Sequence, residues 1–532
     1  MVKLYDTTLR DGAQSEGISF SVVDKLHIAR KLDELGVHYI EGGWPGSNPK
    51  DAEFFDKAKS LTLSSARIVA FGSTRHAKSN TESDANLMAL AYAGVGAVTI
   101  VGKSSVLQVK QVLETTPQEN LRMVADSIRF LIGKGLTVFF DAEHFFDGFK
   151  ADPGYALQVV VVAAAAGAEC VVLCDTNGGS LSSEIAAAIE ATKMETSVQL
   201  GIHCHNDSEM AVANSLAAVA AGVTQVQGTI NGYGERCGNA NLCSIIPALQ
   251  LKMGIDCISD DKLAKLTEVS HYVAELANLA PAPFLPYVGM SAFSHKAGLH
   301  VAGIGKWQQS YQHIDPILVG NQPKVVVSEL SGKGNILHKA REMGLDLPLA
   351  ENEAKKLLEQ VKQLENRGFQ YDSAEASFEL LVHRAKPGYR PPFELVDFMV
   401  VVEAKRRQPV GKSIEETLSE AIVKVRVGKE VIHTAAEGNG PVNALDQALR
   451  KALLQFYPSL AQVRLVDYKV RILEESTGTG SQIRVLIESS DGIDDWRTVG
   501  SSTNIIEASW LALADGLEYW LTKHQTPSNL PT

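Results

Sequence analysis

The sequence predicts an α/β protein in which a (β/α)8 TIM barrel is followed by helical linker regions and a C-terminal α+β domain. Along the first half, short β-branched or aromatic runs alternate with Ala- and Leu-rich runs of helical length. Gly36, Gly94 and Gly167 each stand just before a short run, where a left-handed residue ends a helix. Eight such units in about 250 residues are typical of a closed barrel.

The predicted barrel strands follow one another at regular intervals. They are expected near residues 3–6, 38–41, 67–71, 97–101, 136–141, 169–174, 198–203 and 224–229. An open, doubly wound sheet is the alternative, but no GxGxxG follows the first strand. The glycine-rich GYGERCG at 232–238 has a different spacing and follows the last strand instead.

Two proline-rich stretches mark the predicted domain boundaries. LAPAPFLPYVG at 279–289 is incompatible with one regular helix, and KPGYRPPFEL at 386–395 marks a second break. We therefore expect a barrel, linker subdomains and a C-terminal domain, over residues 1–275, 276–392 and 393–532.

The C-terminal domain reads as a duplicated βββα unit, which can form a pseudo-symmetric sandwich with a ligand cleft between its halves. The first unit has strands near 397–404, 419–426 and 430–436 and a helix at 441–456. The second has strands near 463–474, 481–489 and 496–502 and a helix at 505–522.

Composition argues against nucleic-acid binding, membrane insertion and secretion. The chain has 532 residues, of which 45% are hydrophobic, and a net charge of −12, which disfavours nucleic acid and anionic membranes as partners. No secretory signal opens the sequence, and the apolar run 157–174 is better explained by a helix entering a strand than by a membrane span. Six cysteines without a CxxC pair indicate a reducing cytoplasm.

Chemically active side chains cluster where barrel strands are expected to end. Active sites of such barrels lie at the carboxyl ends of the strands. The residues found there are Arg10, Asp11, Glu41, Glu143, His144, Asp175, Thr176, His203 and His205, with NGYGERCGN (231–239) after the last strand. The opposite rim carries mostly Gly, Ala and Val, so we expect one catalytic face.

GIHCHND at 201–207 is the strongest indication of a metal site. Alternation along a strand places His203 and His205 on one side, about 7 Å apart. A HxH pair by itself is weak evidence, and two ordinary histidines are the alternative. Asp11, expected nearby across the barrel mouth, would complete two imidazoles and a carboxylate with open coordination positions. This donor set admits Zn, Mn, Mg, Fe or Co.

Three motifs together resemble the metal-dependent enzymes that condense acyl-CoA with 2-oxoacids. DTTLRDGAQ (6–14), HCHND (203–207) and NGYGERCGN (231–239) are similar to the 2-isopropylmalate, homocitrate and citramalate synthases, with hydroxymethylglutaryl-CoA lyase as a relative. AAEGNGPVNALDQALRKAL (435–453) is similar to the regulatory domain of the synthases, which the lyases lack. The resemblance implies a Claisen condensation using acetyl-CoA and a divalent metal ion such as Zn, Mn or Mg.

Two further stretches distinguish the branches of this family. EGGWPGSNPKDAEFF (41–55) and FDAEHFFDGFKAD (140–152) are similar to bacterial citramalate synthases. Isopropylmalate synthases usually carry a Ser-Pro-Glu-Asp-like stretch where this chain has residues 141–144. The resemblance thus implies condensation with pyruvate in the first step of the pyruvate route to isoleucine. 2-Isopropylmalate or homocitrate synthase, a C–C lyase, or an amino-acid sensor with a decayed barrel are the alternatives.

The resemblance also implies roles for individual residues. The metal ligands correspond to Asp11, His203 and His205, with Asn239 as a further ligand or a neighbour that supports them. Arg10 corresponds to the arginine that binds the oxoacid, and Thr176 to a residue beside the substrate carboxylate.

Catalysis in the family also uses a glutamate and a histidine from beyond the barrel. Glu143 corresponds to that glutamate, His300 in SHKAGLHVAG to the histidine, and Tyr311 to a nearby tyrosine. A homodimer and feedback binding of isoleucine are implied as well. EGNGPVN (437–443) and STGTGSQ (476–482) are candidate effector loops, with ordinary glycine-rich turns as the alternative.

Overall fold

The computed structural model describes residues 1–325, 351–371, 374–386, 388–403, 418–473 and 480–524. These residues form two compact units. The first comprises Met1–Phe293 and His313–Pro323, and the second comprises Ser294–Gln312 and the described residues from Lys324 onward. Within the described ranges, no helix has the length and apolar character needed to cross a bilayer.

Eight parallel strands close into a barrel in sequential order, so the predicted (β/α)8 fold is confirmed. They are β1 (Lys3–Asp6), β2 (Tyr39–Gly43), β3 (Arg67–Ser73), β4 (Ala97–Lys103), β5 (Thr137–Glu143), β6 (Cys170–Asp175), β7 (Gln199–Cys204) and β8 (Gln225–Gly228). The barrel closes where Lys3 of β1 pairs in register with Gln225 of β8.

Helices surround this barrel and connect its strands. They are α1 (Val22–Leu35), α2 (Pro49–Ala58), α3 (Ala85–Ala91), α4 (Val106–Gln111), α5 (Pro117–Gly133), α6 (Phe145–Ala151), α7 (Pro153–Ala166), α8 (Ser182–Glu195), α9 (Ala211–Ala220), α10 (Leu242–Leu251), α11 (Asp260–Leu263) and α12 (Leu266–Leu276). Ser21 and Asp24 form a capping box at the start of α1, and Gly36 ends it with φ 92°.

The barrel interior is a packed core at its amino-terminal end. Its inward-facing layer consists of Tyr5, Tyr39, Val69, Ala97, Phe139, Cys170, Val172 and Cys174. The rings of Tyr5, Tyr39 and Phe139 pack edge-on or tilted, with centroids 4.9 to 5.9 Å apart. This apolar layer closes the barrel from below, so polar chemistry is confined to the opposite end.

The second unit begins with short elements and continues into two antiparallel sheets. Its strands are β9 (Ser294–His295), β10 (Lys324–Val325), β11 (Glu394–Glu403), β12 (Leu418–Val427), β13 (Glu430–Gly438), β14 (Arg464–Ile472), β15 (Ile483–Ser490) and β16 (Asp495–Ser502). Its helices are α13 (Gly298–Lys306), α14 (Glu351–Asn366), α15 (Glu375–Arg384), α16 (Pro441–Leu453) and α17 (Ile505–His524).

The predicted duplication is present in this unit. Strands β11–β12–β13 form one sheet and β14–β15–β16 another, and each sheet is followed by one long helix. Buried Ala and Leu side chains of α16 and buried Ala, Leu and Trp side chains of α17 join the inner faces of both sheets in one core. The candidate effector loop 437–443 forms the turn from β13 into α16, whereas residues 476–479 of the second loop lie outside the described residues.

Candidate metal centre

Asp11 lies just beyond β1, at the start of a 3-10 turn formed by Gly12–Gln14. Asp6 braces this loop, because Thr8 donates from its backbone N to Asp6 Oδ1 over 2.9 Å and from its hydroxyl to Oδ2 over 2.8 Å. The same hydroxyl accepts from the backbone N of Ile230 over 2.9 Å. The loop that carries Asp11 is therefore tied to the segment after β8.

Asp11, His203 and His205 form a buried cluster at the carboxyl ends of β1 and β7. Asp11 Oδ2 and His203 Nε2 are 3.3 Å apart, and the Nε2 atoms of the two histidines are also 3.3 Å apart. One ligand atom from each residue lies within 4.8 Å of the other two. Strand β7 ends at Cys204, and His205 pairs with Asn239 in an isolated bridge. The structure therefore brings together the three residues expected as ligands.

Asn239 contributes a buried oxygen from the loop after β8. Its Nδ2 donates to the backbone oxygen of Tyr233 over 3.1 Å, which fixes the orientation of the amide. Among the described residues, its Oδ1 has no hydrogen-bond partner, and neither does His205 Nδ1. A buried, unpaired polar atom is costly, and a bound cation would satisfy the amide oxygen. A Cβ at Gly234 would lie 2.2 Å from Asn239 Nδ2, so this approach requires glycine.

The surrounding charges set the protonation of the cluster. Burial opposes ionisation of Asp11, but Arg10 and His203 outweigh it and hold the pKa of Asp11 well below its usual range. Burial, together with the charge of His203, lowers the pKa of His205 to about 4. Burial also acts against the charged form of His203, but its hydrogen bond with Asp11 raises its pKa. At neutral pH, Asp11 is anionic and His205 neutral, the forms that bind metals.

The donors present fit a catalytic divalent cation. One carboxylate oxygen and two imidazole nitrogens are the mixed ligands found at catalytic zinc, manganese and related centres. Fewer than six protein donors leave positions for substrate oxygens. Asp11, His203 and His205 would hold such an ion, and the oxygen of Asn239 is available to it.

Arg10 lies beside the cluster and is held in place by two carboxylates. Its Nε donates to Glu41 Oε1 over 2.6 Å, and its Nη1 lies 3.5 Å from Asp11 Oδ2. The guanidinium also covers the ring of Phe71, 3.9 Å from the centroid. Burial would lower the pKa of Arg10, but the charges of Glu41 and Asp11 raise it instead. Arg10 is thus a permanent, rigid cation beside the candidate metal centre.

Glu143 ends β5 and forms an ion pair with the Nζ of Lys103, which ends β4. The next residue, His144, has φ 57° and begins the turn into α6. Its backbone N donates to the hydroxyl of Thr176 over 2.8 Å, so Thr176 supports the segment that carries Glu143. The hydroxyl proton of Thr176 stays available for a ligand.

The HCHND and NGYGERCGN motifs are joined by an ion pair. Arg236 Nε donates to Asp207 Oδ1 over 2.7 Å, and its Nη2 donates to Oδ2 over 2.9 Å. The same Nη2 donates to the backbone oxygen of Thr176 over 2.8 Å. This bidentate contact holds the loops after β6, β7 and β8 together.

His300 and Tyr311 belong to the second compact unit. Their rings stack, with centroids 4.1 Å apart and planes inclined by 20°. Both side chains are exposed, Tyr311 to 43%. Gly303 permits the stack, because a Cβ there would lie 2.6 Å from Tyr311. The structure therefore stacks the two residues to which the resemblance assigns the proton transfer.

The sequence does not predict the residues that support the site from neighbouring strands. It places Glu41 at a strand end but does not predict its contact with Arg10, and it assigns no role to Lys103, Asp141 or Gln227. All four lie on barrel strands: Lys103 ends β4, Asp141 and Gln227 lie in the carboxyl-terminal halves of β5 and β8, and Glu41 lies at the centre of β2. A polar residue on an otherwise apolar barrel strand is the available signal.

Comparison with known proteins identifies the family. The chain is 54% identical over 525 residues to the (R)-citramalate synthase of Geobacter sulfurreducens, covering 99% of this chain and 98% of that protein. The chain belongs to the (R)-citramalate synthase family. The (R)-citramalate synthase of Aquifex aeolicus is 51% identical, with 98% of each chain covered. The 2-isopropylmalate synthase of Methanocaldococcus jannaschii is 30% identical, with 98% of this chain and 95% of that protein covered.

Domain families match along the same chain. The HMGL-like family matches residues 1–273, and a family described as homocitrate synthase post-HMGL domain-like matches 287–368. The LeuA allosteric (dimerisation) domain matches 372–521. The resemblance inferred from the motifs is thereby confirmed, including the synthase-type C-terminal domain.

Proposed function

We propose that this chain is an acyltransferase that condenses acetyl-CoA with pyruvate and hydrolyses the thioester, releasing (R)-citramalate and CoA. The observation that carries this proposal is the 54% and 51% identity, over nearly the whole chain, to (R)-citramalate synthases. In this reaction the acetyl methyl group loses a proton and bonds to the ketone carbon of pyruvate. The ketone oxygen gains a proton, and water cleaves the thioester.

The oxoacid is bound and polarised at the carboxyl end of the barrel. Asp11, His203 and His205 would hold a divalent cation there, which would supply Lewis acidity toward the ketone oxygen. Arg10 donates to the same oxygen and stabilises the negative charge that develops there, since its guanidinium stays protonated. The hydroxyl of Thr176 donates to the pyruvate carboxylate. The buried pairing of Arg10 with Glu41 supports this assignment, because it fixes the cation in advance.

Proton transfer uses a base, an assisting hydroxyl and a carboxylate. His300 removes the proton from the acetyl methyl group, with Tyr311 assisting, and Glu143 orients the reactants or acts through water. Supporting this assignment, the stacked rings of His300 and Tyr311 restrict the imidazole, and an ion pair restrains Glu143. A neutral imidazole has one unprotonated ring nitrogen, which can accept the methyl proton.

Residues 1–275, 276–392 and 393–532 then act as the catalytic barrel, linker and regulatory domain. We propose that isoleucine, the end product of the route, binds the regulatory domain. A cavity of about 640 Å³ lies between α16 and β14, within the second unit. Val442, Leu454 and Leu465 offer it apolar surface, and Arg464 offers a positive charge for the carboxylate of an amino acid. Asp446, which accepts from Arg450 Nε over 2.8 Å, also lines the cavity and offers a carboxylate for the amino group.

The protein acts as a homodimer in a reducing cytoplasm. The match to a dimerisation domain and the exposed apolar side chains on β11 and β14 support the dimer. All six cysteines lie in described residues and are free thiols, which fits a reducing compartment.

A substrate panel tests the reaction. Purified full-length protein is incubated with acetyl-CoA and either pyruvate, 2-oxoisovalerate or 2-oxoglutarate, and the released thiol is measured. We expect kcat/KM for pyruvate to exceed kcat/KM for either of the other two oxoacids by at least about 100-fold. Equal or higher rates with 2-oxoisovalerate would favour a 2-isopropylmalate synthase.

The same assay tests the effector. Isoleucine is expected to inhibit, and leucine to inhibit more weakly. Arg464→Gln is expected to raise the isoleucine concentration for half-inhibition about tenfold, because the effector carboxylate loses its ion pair. Arg497→Gln on β16, outside the cavity, is the control. Unchanged inhibition in Arg464→Gln would reject this cavity as the effector site.

A further inference from the structure

The barrel interior below the candidate metal centre holds polar side chains that the proposed reaction does not use. Gln227 on β8 is fully buried, and its Oε1 lies 2.8 Å from Nδ1 of His203. The two residues meet because they are direct partners in the register of β7 and β8. On its other side, Gln227 Nε2 donates to Asp141 Oδ1 on β5 over 3.1 Å. Asp141, Gln227 and His203 therefore form one continuous hydrogen-bonded row.

Asp141 determines which end of the amide His203 meets. A carboxamide has a donor end and an acceptor end, and the oxygen of Asp141 accepts from the donor end. The oxygen of Gln227 is consequently turned toward His203, where it requires a hydrogen on Nδ1. An imidazole with its hydrogen on Nδ1 keeps the lone pair of Nε2 for a metal.

The second ring nitrogen of His203, Nε2, faces the candidate metal centre, as a metal-binding Nδ1–H form requires. His203 Nε2 lies 3.3 Å from both Asp11 Oδ2 and His205 Nε2, inside the candidate metal centre. We propose that Gln227, oriented by Asp141, is a positioning residue that fixes His203 in the Nδ1–H form and holds its Nε2 toward a divalent cation. This inference rests on the metal occupancy proposed above, but not on the identity of the oxoacid.

Metal affinity, measured by calorimetry, tests the inference. Mn²⁺ is titrated into metal-free, full-length protein, and circular dichroism verifies the fold of each variant. Gln227→Met keeps the side-chain length but removes both polar contacts, and we expect its Kd for Mn²⁺ to rise about 10- to 100-fold. The matched control is Gln225→Met, a buried position two residues earlier on β8.

A double variant separates positioning from simple loss of packing. Asp141→Asn combined with Gln227→Glu exchanges the amide and the carboxylate, so an oxygen acceptor again faces His203 Nδ1. We expect this pair to recover most of the affinity lost in Gln227→Met, which a purely structural role would not produce.

Three results would overturn the inference. Equal Mn²⁺ affinity of Gln227→Met and the unmodified chain would contradict the positioning role of Gln227. Equal losses in Gln227→Met and Gln225→Met would show a packing effect only. Absence of Mn²⁺ binding by the unmodified chain would overturn both this inference and the proposed metal centre, whereas the first two results leave that centre intact.

Discussion

At the scale of single residues, the site is organised around charges that fix one another. Arg10 sits between Glu41 and Asp11, with Phe71 beneath it. Glu41 is completely buried and also accepts from the hydroxyl of Tyr5 over 2.7 Å. A guanidinium can serve several partners at fixed angles, whereas an ammonium cannot, so this position needs arginine.

Arg10→Lys is expected to reduce kcat/KM for pyruvate on the order of 100-fold. A lysine cannot keep the contact with Glu41 and also donate to the ketone oxygen. Steady-state CoA release measures this effect. Arg122→Lys, an exposed position on α5, is the control and should retain full activity. Undiminished kcat/KM in Arg10→Lys would contradict the proposed role of Arg10.

At the scale of elements, the loop after β8 depends on glycine. Gly238 has φ 91°, and a Cβ there would lie 2.1 Å from the backbone oxygen of Gly232. The backbone oxygen of Gly238 accepts from Asn206 over 2.9 Å, and the next residue pairs with His205. The position of Asn239 therefore follows from the path of this loop.

Gly238→Ala is expected to weaken Mn²⁺ binding at least about tenfold, because the loop must move away from His205. Calorimetric titration of the metal-free protein measures the affinity. Gly254→Ala is a matched control, since it shares a positive φ of 65° but has no atom within 4 Å of the added Cβ. Equal effects of the two substitutions would show backbone strain alone to be responsible.

The turn between β15 and β16 is stabilised by one carboxylate. Asp491 accepts from the backbone N atoms of Asp494 and Ile493 and from Trp520 Nε1. The hydrogen bond from Asp494, followed by those from Trp520 and Ile493, lowers the pKa of Asp491 from 3.8 to about 2. Its stabilising effect is therefore complete above pH 3.8 and is lost as the pH falls toward 2.

Asp491→Asn is expected to lower the urea midpoint of unfolding at pH 6. The difference in midpoint from the unmodified chain is expected to shrink as the pH falls below 3.8. The neutral amide replaces a charged acceptor only where the carboxylate is ionised. Tryptophan fluorescence follows the transition. Asp494→Asn, exposed in the same turn, is the control. A pH-independent difference would argue against the ionised acceptor.

At the scale of the whole molecule, the second unit exposes apolar surface that supports the proposed dimer. Met399 and Val402 on β11 are 52% and 53% exposed, and Val466 and Ile472 on β14 are 62% and 57% exposed. Both strands are sheet edges, with one neighbouring strand each in the described residues. Apolar side chains concentrated on edge strands favour contact with another chain.

Met399→Glu combined with Ile472→Glu is expected to convert the proposed dimer into monomers, because charges would be buried at the interface. Light scattering after size-exclusion chromatography measures the mass. Val112→Glu places the same charge at a barrel position that is 59% exposed and should leave the mass unchanged. A dimer that persists in the double variant would exclude these strands as the interface.

The sequence by itself determined the order and type of the elements. Periodicity, helix-ending glycines and turn residues are local signals, so the eight barrel strands and the duplicated βββα unit were located to within a few residues. The motifs around Asp11, His203 and His205 also identified the candidate ligands, because residue type and position at a strand end can both be inferred from the sequence.

Only the tertiary structure decided which side chains meet across strands. Three sets of contacts join residues from different parts of the chain: Glu41 with Arg10, Lys103 with Glu143, and Gln227 with both Asp141 and His203. Such contacts depend on strand register and on closure of the barrel, which no local pattern encodes. The identity of the candidate ligands is thus a property of the sequence, whereas their orientation arises from the closed barrel.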